Sequence, residues 1–77
     1  MALYLADKNK KLFKYRSTGS GAVLTKGKRE LYMTFQSVNQ SKRAKEIIAN
    51  NSFNKLFKCG KKRRLLGNNV SHIDLRN

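Results

Sequence analysis

Apolar positions change their period partway along this chain. In Lys11–Arg16 (KLFKYR) they alternate, so that Phe13 and Tyr15 share one strand face while Lys14 and Arg16 take the other. The same alternation returns in Glu30–Phe35 (ELYMTF), where Leu31, Met33 and Phe35 face one way and Glu30, Tyr32 and Thr34 the other. Beyond Phe35 the period lengthens. Val38, Ala44, Ile47 and Ile48 gather on one side of a helical wheel with Ser41 between them, opposite Asn39, Lys42, Arg43 and Glu46, and with Lys45 flanking the stripe. Ser37 and Gln40 stand at capping-box spacing, and Asn50 and Asn51 suit a left-handed helix exit. Ser52 then caps a second short helix with Phe53, Leu56 and Phe57 on one face, stopped by Gly60.

The remaining stretches supply partners for that apolar helix face. Ala2–Ala6 (ALYLA) reads as a short buried strand, joined to Lys11–Arg16 as a hairpin by the turn chemistry of Asp7-Lys8-Asn9-Lys10. Ser17–Gly21 (STGSG) reads as a flexible loop, Ala22–Thr25 as a short strand, and Lys26-Gly27-Lys28 as a tight basic turn. After Gly60 come Lys61-Lys62-Arg63-Arg64, read as an exposed turn, then a turn at Gly67-Asn68-Asn69. Val70–Arg76 (VSHIDLR) follows as a last strand or ordered tail. The expected fold is α+β: a small antiparallel sheet of three to four strands, with one or two short helices packed on one face. It forms a single domain over residues 1–77, with 61–77 as a less ordered basic tail.

Charge changes the picture more than any motif. Eighteen Lys and Arg against four Asp and Glu leave a net charge of +14 on 77 residues. Such self-repulsion opposes compaction unless an anionic partner screens it. The basic residues cluster at Lys8/Lys10/Lys11, Lys26/Lys28/Arg29, Lys42/Arg43/Lys45 and Lys58 through Arg64, and Tyr15 and Tyr32 are set among cations on predicted strands. Cations that reach one phosphate backbone release its counterions, and exposed aromatic rings stack on bases. The candidate nucleic-acid-binding residues are therefore Lys14, Tyr15, Arg16, Lys26, Lys28, Arg29, Tyr32, Lys42, Arg43, Lys45, Lys58, Lys61, Lys62, Arg63 and Arg64. Bland readings compete with this one: solvated charge keeps small proteins soluble, and Lys58, Lys61 and Lys62 suit a helix C-terminus.

Other chemistries find little support. A lone Cys59 excludes an intramolecular disulfide and a thiolate-rich zinc site, and the scattered carboxylates form no pair for Mg²⁺. Gly21 and Gly27 miss phosphate-loop spacing. His72, with Arg76 or an arginine of the Lys61–Arg64 run, is the one candidate constellation for a small ribonuclease. Helix-turn-helix, zinc-finger and ribonucleoprotein-motif signatures are missing. No signal peptide is read at the start and no membrane-spanning run along the chain.

These features predict a non-enzymatic nucleic-acid-binding protein that needs no cofactor and grips the phosphate backbone, with RNA favoured over DNA. Such a protein would serve as a ribonucleoprotein component or a host or phage accessory factor. It is expected in the cytoplasm, associated with a nucleoid, or inside a virion. A second reading is a basic interaction module docking on an acidic protein such as a polymerase or nuclease, with Phe53, Leu56 and Phe57 in the interface. A His-dependent ribonuclease comes third.

Overall fold

The computed structural model describes residues 3–62 and 69–76. In chain order it contains β1 (Leu3–Ala6), β2 (Leu12–Thr18), β3 (Gly21–Lys26), β4 (Arg29–Thr34), α1 (Val38–Asn50), α2 (Phe53–Cys59), β5 (Lys61–Lys62) and β6 (Val70–Asp74). The strands form one six-stranded sheet in the order β1-β2-β3-β4-β6-β5. The α+β class matches expectation, but the sheet is larger than three to four strands and is not wholly antiparallel. Its first four strands form an antiparallel meander, whereas β6 runs parallel to β4. The two helices carry the chain back to the start of β4, as a parallel pairing requires. The two-residue β5 then pairs antiparallel with β6 as the outer edge. Lys61 and Lys62 are therefore strand residues, not part of a turn. Arg63, Arg64 and the turn expected at Gly67-Asn68-Asn69 fall mainly outside the described residues.

Both tight hairpins have two-residue connections. Gly27 has φ +59° at the first turn position between Lys26 and Arg29, the backbone that suits a type II′ turn. The expected flexible loop at Ser17–Gly21 is instead ordered pairing: Ser17 lies opposite Ala22 and Thr18 opposite Gly21, leaving only Gly19 and Ser20 as the turn. Gly21 is required by proximity, since a Cβ there would collide with the Met33 carbonyl.

The helices lie on one face of the sheet. Phe13, Tyr15, Ala22, Leu24, Leu31 and Met33 from that face pack with Ala44 and Ile48 of α1 and Phe53 and Leu56 of α2. Phe53 is central: its ring is 5.1 Å from that of Phe13 and meets Phe57 edge-on at 4.6 Å. Ser37 caps α1 by accepting from the Gln40 N–H, while Gln40 Oε1 accepts from Gln36 N–H, one residue further back than a reciprocal box predicts. Asn51 ends α1 in extended rather than left-handed backbone (φ −124°) and uses its side-chain amide to donate to the Ile47 carbonyl. Two apolar assignments also change. Val38 lies outside the core at 73% exposure, and β1 is an exposed edge strand, with Leu3 at 56% and Tyr4 at 69%. No helix among the described residues is long and apolar enough to cross a membrane.

Candidate nucleic-acid interface

Strand alternation sends every second side chain to the sheet face opposite the helices. Cross-strand register fixes which residues become neighbours there. One row runs Tyr4, Lys14, Thr25, Glu30, Val70 and the next runs Arg16, Val23, Tyr32, His72, Lys61. In the second row a tyrosine and a histidine stand side by side at half-buried positions, with exposed cations at both ends. Lys14 and Tyr4 are also exposed. Among the described elements, neither helix packs on this side.

Hydrogen bonds hold the aromatic pair in place. The Tyr32 hydroxyl donates to Glu30 Oε2 at 2.8 Å, and His72 Nε2 lies 3.2 Å from Thr34 Oγ1. Asp74 follows on the same face, but Arg76 engages it with a 2.9 Å ion pair. Hydrogen bonds from the Arg76 side chain and backbone hold the Asp74 carboxyl well below the usual carboxylate range. The two carboxylates of this face are thus each tied to a neighbour, and Lys14, Arg16 and Lys61 keep the surface positive.

The fifteen candidate residues do not form one patch. Lys14, Arg16, Tyr32 and Lys61 share the open sheet face. Tyr15, by contrast, is 3% exposed within the helix-side core, where burial pushes its phenol up in pKa against an opposing bond with Ser17. Its ring is not presented for stacking. Lys28 is exposed beside Gly27 at the β3–β4 turn, and Lys26 is half-buried next to it. Lys42, Arg43 and Lys45 are exposed on α1, on the far side of the sheet. Arg29, Lys58 and Lys62 instead line a hollow between α2 and the sheet edge. Arg63 and Arg64 lie outside the described residues.

Two residues of the open face were hidden at the level of sequence. Tyr4 reads as part of a buried run, and only the register opposite Lys14 shows that it belongs to the exposed face. His72 attracts attention as a catalyst, yet its neighbours are Tyr32 and Lys61 in the strand register. Of the three residues expected in a protein-docking interface, Phe53 and Leu56 are 1% and 2% exposed in the protein's own core, and Phe57 is half-buried against it. Among the described residues, no group of three or more His, Cys, Asp or Glu side chains is placed to hold a metal ion.

Comparison with known proteins finds no matching family model, no matching curated protein and no matching solved structure.

Proposed function

We propose that this is a non-enzymatic nucleic-acid-binding protein that lays a single strand, RNA in preference to DNA, across the open face of its sheet. The observation carrying this reading is the cross-strand row Arg16–Val23–Tyr32–His72–Lys61, in which two half-buried aromatic rings lie between exposed cations at the row's ends. Bases stack on such rings with little regard to sequence, while the flanking cations meet phosphates. The parallel β4–β6 pairing sets Tyr32 and His72 on strands one spacing apart, about 4.8 Å, and aromatic side chains on neighbouring strands form a platform at that spacing. A net charge of +14 supplies long-range attraction to any polyanion and predicts weak sequence preference.

Fluorescence anisotropy with labelled single-stranded RNA, single-stranded DNA and duplex DNA of equal length tests the reading. Tightest binding to single-stranded RNA supports it, and equal or tighter binding to the duplex contradicts the stacking component. Pulldown from nuclease-treated and untreated lysates provides a second test. Partners lost on nuclease treatment support the reading, whereas a stoichiometric protein that survives treatment points to docking on an acidic protein.

A further inference from the structure

On the helix side of the sheet, next to its β5 edge, lies a hollow of about 580 Å³. Its walls come from α2, the start of β4, and the β5–β6 edge. Three cations line it: Arg29, Lys58 and Lys62. Among its described lining residues none is a carboxylate, so the three positive charges meet without an acidic partner. Like charges gathered around one concave space repel one another, and an anion seated there relieves that repulsion.

Arg29 is already oriented for such an anion. Its Nη1 donates to Asn54 Oδ1 at 2.8 Å, and its guanidinium carbon stands 6.0 Å from the centre of the Phe57 ring. Two supports fix the planar fork while its other N–H groups stay available for phosphate oxygens. The ring face of Phe57 is thereby taken up by Arg29, and the hollow favours an anion over a stacked base.

The position of β5 links this hollow to the open face. Lys61 and Lys62 are consecutive in the outermost strand, so they address opposite faces: Lys61 is paired with His72 on the open side, and Lys62 lines the hollow. A strand crossing the open face toward β5 therefore reaches the hollow by turning over the sheet edge. A chain end can make that turn into a half-open hollow more readily than a continuing backbone can.

We propose that the hollow formed by Arg29, Lys58 and Lys62 binds a phosphate monoester, supplied by the phosphorylated end of a nucleic-acid strand or by a free nucleotide. The strand-end form rests on the proposed single-strand binding across the open face; the anion site itself does not.

The experiment compares one single-stranded RNA carrying a phosphate at its 5′ end, at its 3′ end or at neither, by anisotropy against the full chain. A preference of about tenfold for one phosphorylated end is expected, the scale of one added charge-assisted contact set. The preference should vanish in Lys58→Ser/Lys62→Ser, two exposed positions whose replacement leaves the core intact. Arg29→Gln should reduce it, with circular dichroism verifying the fold. Adenosine monophosphate alone, followed by calorimetry, separates the two sources: saturation in the micromolar range assigns the hollow to free nucleotide. Much weaker nucleotide binding together with the end preference assigns it to strand ends. Three equal affinities in the wild type, with no micromolar nucleotide binding, overturn the proposal while leaving binding across the sheet intact. A preference that survives the double substitution overturns its placement in this hollow. If no strand binds but adenosine monophosphate does, the open-face reading fails and the anion site stands.

Discussion

Asp7 and Phe53 are 46 residues apart in sequence, yet Asp7 Oδ2 accepts a 2.6 Å hydrogen bond from the Phe53 backbone N–H. The other carboxylate oxygen accepts from the N–H groups of Asn9 and Lys11. One buried side chain therefore closes the β1–β2 turn and satisfies the first N–H of α2, beside Ser52, which caps the same helix through Lys55 N–H. This clamp ties the start of α2 to the β1–β2 turn.

Removing the clamp should be costly. Asp7→Ala leaves three backbone donors without their acceptor and is expected to lose about 3 kcal/mol, read as a lower urea midpoint with little change in slope. Loss of less than about 1 kcal/mol would show that water replaces the carboxylate easily.

The same residue gives a pH dependence with a definite sign. Burial alone would raise the Asp7 carboxyl, but the N–H groups of Phe53, Lys11 and Asn9, with Lys26 nearby, hold it below its ordinary 3.8. The unfolded chain then binds the proton more readily than the folded one. The stabilisation is complete above the ordinary value and is lost as pH falls through the lower folded value. Urea midpoints between pH 5 and about 2.5 should fall more in the wild type than in Asp7→Asn. Parallel profiles would contradict this.

Ile48 and Val38 share the helical stripe in sequence but not in the folded protein. Ile48 is 2% exposed and Val38 73%. Ile48→Asp should cost on the order of 3 kcal/mol or more and unfold the domain, while Val38→Asp should stay within about 0.5 kcal/mol. Thermal melts of the two variants decide the matter.

How legible the fold was depended on the range of the interaction concerned. Alternation in Phe13/Tyr15 and Leu31/Met33 marks the helix-facing strand residues directly, and Ser37, Ser52 and Gly60 mark the helix ends, because these signals are local. Sheet order is not local. Nothing in VSHIDLR distinguishes a parallel neighbour of β4 from an antiparallel one, and two lysines are too short a run to announce an edge strand. Asp7 reads as a turn residue because its longest-range partner, Phe53, lies on another element. The candidate site was legible as composition but not as a surface. Basic residues could be named, while their division between two faces depends on a register that periodicity alone does not supply.

Gly21 and Gly19 separate close packing from turn flexibility. Gly21→Ala drives a methyl group into the Met33 carbonyl and should destabilise by about 2 kcal/mol. Gly19→Ala meets nothing within 4 Å and should be nearly neutral. Equal melting temperatures would remove the close β3–β4 approach at this point.

The tyrosines divide in the same way. Tyr32→Ala should weaken single-stranded RNA binding by about 1–3 kcal/mol with little change in melting temperature, as expected for a lost stacking surface. Tyr15→Ala should instead lower the melting temperature through a core cavity. Reversal of these two effects would place the binding surface on the helix side.

The decisive measurement is the slope of log K against log salt for single-stranded RNA, taken for three proteins of matched fold. They are the wild type, an open-face variant (Lys14→Ser/Arg16→Ser/Lys61→Ser) and an α1 variant (Lys42→Ser/Arg43→Ser/Lys45→Ser). Binding across the open face predicts a wild-type slope of about −3 to −5, flattened by roughly two units in the open-face variant and by less than about half a unit in the α1 variant. A wild-type slope near zero, or flattening confined to the α1 variant, would contradict it.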